Sequence, residues 1–487
     1  MGNIKALAGQ TVVYGFSTIF GRLLSWFMLP LYVRYMSESD NGLLTYLYSY
    51  IAIIQVILAF GFETGFFRFA KNENLNKVFG TLFSFVAAFS FVFVLLVFVF
   101  VDPISTAMGI NDRSLVLLVS FILGADAIGN LPFALLRHKN QAFKYALFRL
   151  LQVIIMVGLN LFFLVVYPKY SQELSFLECI GILPDNLLFN VFYSNLMGSL
   201  FIPIVLIKST VRHYSGFDYK LFKQVLVYSF PILIVGIFGM VNYNLDKILL
   251  PHLIKSDNGF GDLGVYGANY KIGVLMAIFT QSFRLAFEPF LFKNKSEGNE
   301  VYALIMNYFV AFGMLIFVGV MISVDLVNIL ITDNYKHGNI VIPFVLMGQL
   351  FFGIYYNLSL WYKVIDKTYF GTIFTIIGSV VCIVGNVVLI PILGYIGAAI
   401  STLLCNLAMM LISFIVGQKH FFIPYEIKKV TVLVLSGLMV YCIAMFNPLD
   451  TLVYKLIVNY LLFGVYGLFL WRYLGVGSIV SKKIPVK

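Results

Sequence analysis

Fourteen stretches of predominantly apolar residues follow one another along this chain. A transmembrane helix needs about 20 such residues in a row. Only 11% of the 487 residues are charged, whereas soluble domains carry roughly 25%. A soluble core cannot hold this much apolar surface, so we predict an all-α polytopic membrane protein with about fourteen transmembrane helices. The predicted spans, numbered one to fourteen, are 9–33, 42–66, 78–101, 114–135, 142–167, 186–207, 222–250, 264–292, 302–332, 338–362, 370–391, 395–417, 428–447 and 451–474.

Lys and Arg residues are unevenly distributed over the connections between these spans. The termini and the even-numbered loops carry more than three times as many as the odd-numbered loops. Because positively charged loops stay in the cytoplasm, we predict that both termini and all even loops are cytoplasmic. The net charge of +11 therefore reflects membrane topology, and we expect no nucleic-acid partner.

Several kinds of chemistry are excluded by what the chain lacks. The four cysteines form no C-x-x-C pair, so no disulfide framework or metal site is implied. The longest outer loop, from Pro168 to Asp185, is too short to be a catalytic domain. Nucleotide-binding and hydrolase motifs do not occur in a usable context. We predict a protein that is not an enzyme and that has no cofactor.

Two parts of the chain are similar at a separation of about 220 residues. Each part contains a helix that is expected to end at a proline, a short polar loop, and a helix with two tyrosines on one face. The matched residues are Pro30 with Pro251, Tyr46 with Tyr266, and Tyr50 with Tyr270. An internal repeat in an apolar chain is typical of transporters built from two halves. We therefore predict two pseudo-symmetric six-helix lobes, 1–213 and 214–420, and two appended helices in 421–487.

The segment NVVLIPILGYIGAAIST, which begins at Asn386, is the most distinctive in the chain. Pro391 is expected to end one helix and Gly394 to form a turn. Gly397, Ala398 and Ser401 would then give the next helix a small face for close packing.

This segment resembles the N-x-x-L-I-P-x-x-G-x-x-G-A-A segment of Wzx-type polysaccharide flippases, which belong to the multidrug/oligosaccharidyl-lipid/polysaccharide exporter (MOP) superfamily. The stretches beginning at Ser17, Leu245 and Ser323 are similar to the first, seventh and ninth helices of that family. The resemblance covers spans one to twelve and implies a MATE-like arrangement of two lobes. The first lobe departs from the pattern, since Asn160 and Pro168 match Asn386 and Pro391 only loosely.

The resemblance also implies a function. Such a flippase would move a polyprenyl-pyrophosphate-linked oligosaccharide, for example an O-antigen, capsule or exopolysaccharide repeat unit, from the cytoplasmic to the periplasmic leaflet of the bacterial inner membrane by alternating access. Its partners would be this lipid-linked oligosaccharide and membrane lipids, with polysaccharide polymerase machinery as a further candidate. Two alternatives remain open. One is a cation-coupled multidrug exporter of the same superfamily, and the other is a membrane glycan polymerase or ligase, which the short outer loops disfavour.

Ionisable residues within the spans are candidates for the substrate site, because a charge at the bilayer centre costs at least about 2.5–3.5 kcal/mol. Arg22 is expected to face a central cavity and bind an anionic head group, unless it pairs with an acid on a neighbouring helix. Asp246 is expected to face the lumen, while the adjacent Lys247 points elsewhere and extends to the outer interface. Lys271 is either a partner of Asp246 or a second cation of the cavity. The repeated tyrosines could stack on sugars, although packing is the commoner role; they are Tyr46, Tyr50, Tyr266 and Tyr270.

Two further groups of residues have expected roles. Charges near the inner ends of spans two and eight are candidate gate residues, although those four apart could simply pair with each other. They are Glu63, Arg68, Arg284 and Glu288. Asp126, in the middle of span four, is a candidate for coupling to H⁺ or Na⁺, as is Asp246. The membrane potential alone could also drive outward movement of an anion.

Overall fold

The computed structural model describes residues 20–21, 23–24, 26–293, 299–365, 367–447 and 451–475, without the side chains of 179–180, 285–293 and 330. The regular elements among these residues are all helical. We number the long helices by the predicted spans to which they correspond. They are α1 (Leu29–Tyr35), α2 (Glu38–Ala59), α3 (Leu75–Val99), α4 (Arg113–His138), α5 (Ala142–Leu161), α6 (Leu187–His213), α7 (Tyr219–Leu253), α8 (Gly259–Lys293), α9 (Glu300–Ile322), α10 (Ile342–Leu358), α11 (Tyr369–Leu393), α12 (Tyr395–His420), α13 (Ile427–Met445) and α14 (Leu452–Tyr473).

Twelve helical segments within the described residues are long and apolar enough to cross a membrane. They correspond to predicted spans two to seven and nine to fourteen. Predicted span one falls mostly outside the described residues, and predicted span eight is observed as α8, a helix of 35 residues. The prediction of an all-α, multi-pass membrane protein is confirmed.

Prolines do not end helices where the sequence suggested. The helix α7 continues past Pro251 to Leu253, and α11 continues past Pro391 until Gly394 turns the chain. Pro30 lies in the first turn of α1 rather than at its end. A proline costs little in a first turn, where its missing N–H has no partner anyway. Within membranes, neighbouring helices can satisfy the groups that an interior proline leaves free.

Packing divides the chain into two compact units. The N-terminal unit runs to Pro251 and includes Asn258–Gly264, while the C-terminal unit contains His252–Asp257 and the chain from Val265 onward. The contacts thus group α7 and the first turns of α8 with the N-terminal unit. The lobes predicted at 1–213 and 214–420 remain a prediction, because packing contacts do not test a sequence repeat.

In the N-terminal unit, α4 occupies the centre and contacts α2, α3 and α6, while α5 packs against α6. The α5–α6 contact is close because α6 presents Gly198 to α5. A Cβ atom at that glycine would lie 3.3 Å from the Gln152 carbonyl oxygen. Small residues allow helix backbones to approach in this way inside membranes.

In the C-terminal unit, α12 packs against α10 and α11, and α9 packs against α10, α13 and α14. Gly394 joins α11 to α12 with a φ of 59°, which favours glycine. A Cβ atom on Gly397 would lie 2.3 Å from the Leu389 carbonyl oxygen, and Ala398 and Ser401 are fully buried. These contacts form the small packing face that the sequence predicted for α12.

Asp218 fixes the start of α7. Its Oδ1 accepts a hydrogen bond of 2.8 Å from the Leu221 N–H, and its Oδ2 lies 2.6 Å from Nζ of Lys77 in α3. The Asp218 N–H in turn donates to Thr81 Oγ1 at 3.1 Å. The Leu221 N–H and the Lys77 ammonium lower the pKa of Asp218 below its ordinary value of 3.8. The loop end of α7 is therefore tied to α3 partly by a charge.

Replacing Asp218 with asparagine is expected to lower the melting temperature at pH 7, because asparagine keeps the cap but loses the charge. A carboxylate whose pKa is lower in the folded than in the unfolded protein contributes its full stabilisation of the fold above the unfolded-state pKa. This contribution is lost as the pH falls through the folded-state pKa. The difference in melting temperature between wild type and variant should therefore be constant near neutrality and shrink below about pH 4. Thermal unfolding in detergent over pH 3–8 measures it, and a difference independent of pH would contradict the charge-based account.

The beginning of α2 meets the beginning of α8, on the side predicted to be outside. A Cβ atom on Gly42 would lie 1.7 Å from the Phe260 carbonyl oxygen. Reciprocally, a Cβ atom on Gly264 would lie 2.0 Å from the Glu38 carbonyl oxygen. The two backbones therefore touch directly, and any side chain at either glycine would separate them.

Two side-chain contacts border this crossing. Ser39 Oγ donates a hydrogen bond of 2.9 Å to Asn258 Oδ1. The Tyr46 ring packs edge-on against Phe260, with ring centroids 5.4 Å apart. We call the residues 38–46 and 258–264 together the outer contact. All of them belong to the N-terminal unit.

Candidate functional site

Polar side chains of α2, α4 and α6 meet in the middle of the N-terminal unit. Asp126 lies halfway along α4, is half-buried, and is close to Ser199 of α6. Asn195, one turn earlier on α6, donates through Nδ2 to the Tyr48 hydroxyl of α2 at 3.1 Å. We call these four residues the mid-span cluster. A partly buried carboxylate at this depth can exchange a proton or hold a cation, which is the chemistry expected of Asp126.

The helix α5 adds a cation that the sequence analysis missed. Arg149 is exposed, its Nη1 donates to Gln152 Oε1 at 2.8 Å, and its charge interacts with that of Asp126. It lies seven residues after the start of α5, about 10 Å into the helix. The sequence contains a signal for it, because Arg149, like Arg22, is an arginine inside a predicted span.

Asp246 and Lys247 are placed differently from the expectation. Lys247 Nζ lies 3.0 Å and 3.1 Å from the two carboxylate oxygens of Asp246 and also donates to the Tyr243 carbonyl at 2.9 Å. Both residues are buried. The expectation that these neighbours cannot pair and that Lys247 extends to the interface is wrong. Its four-carbon stem is long enough to fold back along the helix, and a buried carboxylate requires a partner.

The structure describes one of the two cationic candidates for the substrate cavity. Arg22 lies outside the described residues. Lys271 is partly buried on α8. The roles predicted for both in substrate binding remain predictions.

The repeated tyrosines are mostly packed. Tyr46 is fully buried, and its ring lies edge-on to Tyr50 with centroids 4.9 Å apart. In the C-terminal unit, Tyr266 and Tyr270 are buried with ring centroids 5.7 Å apart, and Gln349 donates to the Tyr270 hydroxyl at 3.4 Å. Sugar stacking by these rings stays a prediction.

The gate candidates of span two contact other helices. Glu63 forms an ion pair with Arg137, at the end of α4. The Arg68 guanidinium lies over the Tyr228 ring of α7, 4.2 Å from its centroid. These contacts hold the predicted cytoplasmic ends of three helices together within the N-terminal unit. They leave the proposed gating role untested.

The gate candidate Arg284 of span eight shares an aromatic ring with a lysine. The Arg284 guanidinium carbon lies 5.2 Å and Lys363 Nζ lies 4.4 Å from the centroid of the Tyr356 ring. Lys363 also donates to the Tyr356 hydroxyl at 3.2 Å. The side chain of Glu288 lies outside the described residues, so the predicted Arg284–Glu288 pair stays a prediction.

The described residues contain no group of three or more His, Cys, Asp or Glu side chains suited to hold a metal ion. What the chain does assemble is a set of polar groups inside membrane-spanning helices. Such groups within membrane-spanning helices are candidates for a substrate or ion pathway.

The fold is shared with solved membrane transporters. A structure titled "Lipid II flippase MurJ, inward closed conformation" matches with a TM-score of 0.75 at 16% identity, covering 95% of this chain and 99% of that one. An inward-facing multidrug resistance MATE family transporter of the MOP superfamily matches with a TM-score of 0.57 at 16% identity, covering 86% and 99%. A MOP superfamily transporter from Pyrococcus furiosus matches with a TM-score of 0.53 at 14% identity, covering 87% and 96%.

These features define the class of protein, which is a multi-pass helical membrane protein with a fold similar to those of the MurJ and MATE structures. The chain belongs to the polysaccharide biosynthesis protein family, whose model matches residues 7–295. A search of curated proteins gives no match. The fold that the motif resemblance implied is confirmed, and the titles of the structural neighbours describe a flippase and transporters.

Proposed function

We propose that this protein is a flippase that moves a polyprenyl-pyrophosphate-linked oligosaccharide from the cytoplasmic to the periplasmic leaflet of the bacterial inner membrane. The repeat unit of an O-antigen, capsule or exopolysaccharide is the proposed cargo. The observation that carries this proposal is the mid-span cluster of Asp126, Ser199, Asn195 and Tyr48, in a chain of the polysaccharide biosynthesis family. Hydroxyl, amide and carboxylate groups at this depth can bind the polar part of such a lipid while its tail remains in the bilayer.

The proposed movement is alternating access, with both termini in the cytoplasm. The pyrophosphate group is an anion, so an inside-negative potential favours its outward transfer by about 2.3 kcal/mol per charge per 100 mV. Asp126 and Asp246 are the proposed sites for a coupled proton or sodium ion. The paired ammonium of Lys247 already compensates Asp246, so Asp126 is the better placed of the two. Polysaccharide polymerase machinery is the proposed partner that uses the flipped product.

The proposal is tested with full-length protein in liposomes containing a fluorescent lipid-linked oligosaccharide. Wild-type protein should make the inner-leaflet label accessible to an external quencher, and Arg22→Ala should abolish this while the protein stays in the membrane. Arg34→Ala, which removes an exposed positive charge from the end of α1, is the matched control and should flip normally. Full flipping by Arg22→Ala would refute the role of that arginine, and no flipping by wild type would refute the function.

A multidrug exporter is the second candidate, since a mid-span carboxylate such as Asp126 suits exchange of a cation for a cationic drug. The same liposomes discriminate the two functions. A drug-dependent proton flux without movement of the lipid-linked oligosaccharide would favour the exporter.

A further inference from the structure

The helix α5 has one face turned to lipid. Its most exposed apolar residues recur four or seven positions apart and therefore lie on one side of the helix. They are Phe143, Leu147, Ile154 and Leu161, with 77%, 41%, 53% and 41% of their surface exposed. We call them the lipid-facing stripe.

Arg149 is exposed on the opposite face. At about 100° per residue, it is rotated by roughly 140–200° from Leu147 and Ile154. The neighbouring residues on its face pack inside the N-terminal unit. The Tyr145 ring lies 5.0 Å from that of Phe133 in α4, and Gln152 contacts Gly198 in α6. An arginine that is exposed on a packed face lies at an opening within the protein and not in the lipid.

The charge of Arg149 has little compensation. Within the described residues it makes no ion pair within 4.0 Å, and its only hydrogen bond is the one to Gln152. Asp126 of α4 interacts with it electrostatically. An arginine inside a span is costly and persists where it has an aqueous or anionic environment.

We propose that Arg149 binds a phosphate group of the transported lipid, and that Gln152 orients its guanidinium. The inference rests on the proposed function and names one residue of its substrate site. A guanidinium offers five N–H donors in a planar fork that matches phosphate oxygens. Gln152 occupies one donor on the α5 side and leaves the others for a ligand. The depth of about 10 Å places this fork within reach of a head group coming from the predicted cytoplasmic leaflet.

The test measures binding of three probes to purified full-length protein by calorimetry. Farnesyl pyrophosphate carries the lipid and the anion, farnesol carries the lipid alone, and inorganic pyrophosphate carries the anion alone. Arg149→Gln should weaken farnesyl pyrophosphate binding by about tenfold to 100-fold and leave farnesol binding unchanged, because charged hydrogen bonds are lost. Arg149→Lys should bind farnesyl pyrophosphate with an affinity between those of wild type and Arg149→Gln, since lysine keeps the charge but lacks the planar fork of donors.

Lys144→Gln is the matched control, because it removes an exposed positive charge from the same helix and should keep wild-type binding. Gln152→Leu should weaken the binding of farnesyl pyrophosphate by a few-fold only. If Arg149→Gln retains the wild-type preference for farnesyl pyrophosphate over farnesol, the role of Arg149 is overturned while the proposed function stands. A wild-type protein without that preference overturns the proposed substrate chemistry itself. If Arg149→Gln weakens the binding of inorganic pyrophosphate and of farnesyl pyrophosphate by the same factor, Arg149 recognises the anion irrespective of the lipid.

Discussion

Oxidative cross-linking of cysteines placed at Ser39 and Asn258 is expected to stop transport completely, and reduction is expected to restore it. The two side chains are joined by a hydrogen bond of 2.9 Å at the outer contact. Cysteines at these positions are therefore close enough for a disulfide or a very short cross-linker. If transport proceeds by alternating access of the predicted lobes 1–213 and 214–420, which assign α2 and α8 to different lobes, the outer ends of these helices separate in each cycle. A covalent link between them would hold the protein in the state in which these outer ends are in contact.

The measurement is flipping in liposomes by a cysteine-free background that carries the pair. Each single cysteine is the first control. The pair Asp102→Cys with Arg113→Cys is the second, because these residues form another exposed contact of 2.7 Å on the predicted outer side but join neighbouring parts of the chain. Linking that pair should leave transport intact. Undiminished flipping by a fully cross-linked 39–258 pair would show that the outer contact stays closed during transport.

Replacing Gly42 with alanine is expected to reduce flipping by more than tenfold and to lower the melting temperature. The added Cβ atom would lie 1.7 Å from the Phe260 carbonyl oxygen, and a backbone atom cannot rotate away as a side chain can. The helices would have to move apart at the outer contact. Overpacking of this kind costs about 1–3 kcal/mol or more. Gly264→Ala should behave in the same way, because its Cβ atom would meet the Glu38 carbonyl.

Gly158→Ala is the control for this prediction. Gly158 lies within α5, and a Cβ atom there would meet nothing within 4 Å. Alanine is the better helix former by about 0.5–1 kcal/mol, so this variant should be as stable as wild type or more so. Wild-type flipping and stability in Gly42→Ala would mean that the outer contact does not need direct contact between the two backbones.

The charged residues show most clearly how far the sequence predicts the structure. Hydropathy alone located α2 to α7 and α9 to α14, and the Asn386 segment indicated the fold. The partners of individual charges were predicted less well. Asp246 was expected to face a lumen, and it binds the residue next to it. Glu63 was considered with Arg68, and it pairs with Arg137, which lies 74 positions away. Spacing along one helix does not report which other helix packs beside it.

The position of Arg149 also could not be predicted from spacing along one helix. This arginine lies in an apolar stretch of the sequence, and only the packing of α5 against α4 and α6 shows that it lies opposite the lipid-facing stripe. Glycines such as Gly42 and Gly264 could not be distinguished in the sequence from Gly158. Their importance depends on a carbonyl group that another helix places against them.

The sequence by itself determined the apolar spans, their predicted orientation and the family of this protein. These features are properties of short segments, because transfer of a helix into the bilayer depends on its own side chains. The tertiary structure decided which charges pair, which arginine lies opposite a lipid-facing stripe and where two backbones touch. These features depend on the rotation and neighbours of each helix, and close packing fixes both only when the whole chain has folded.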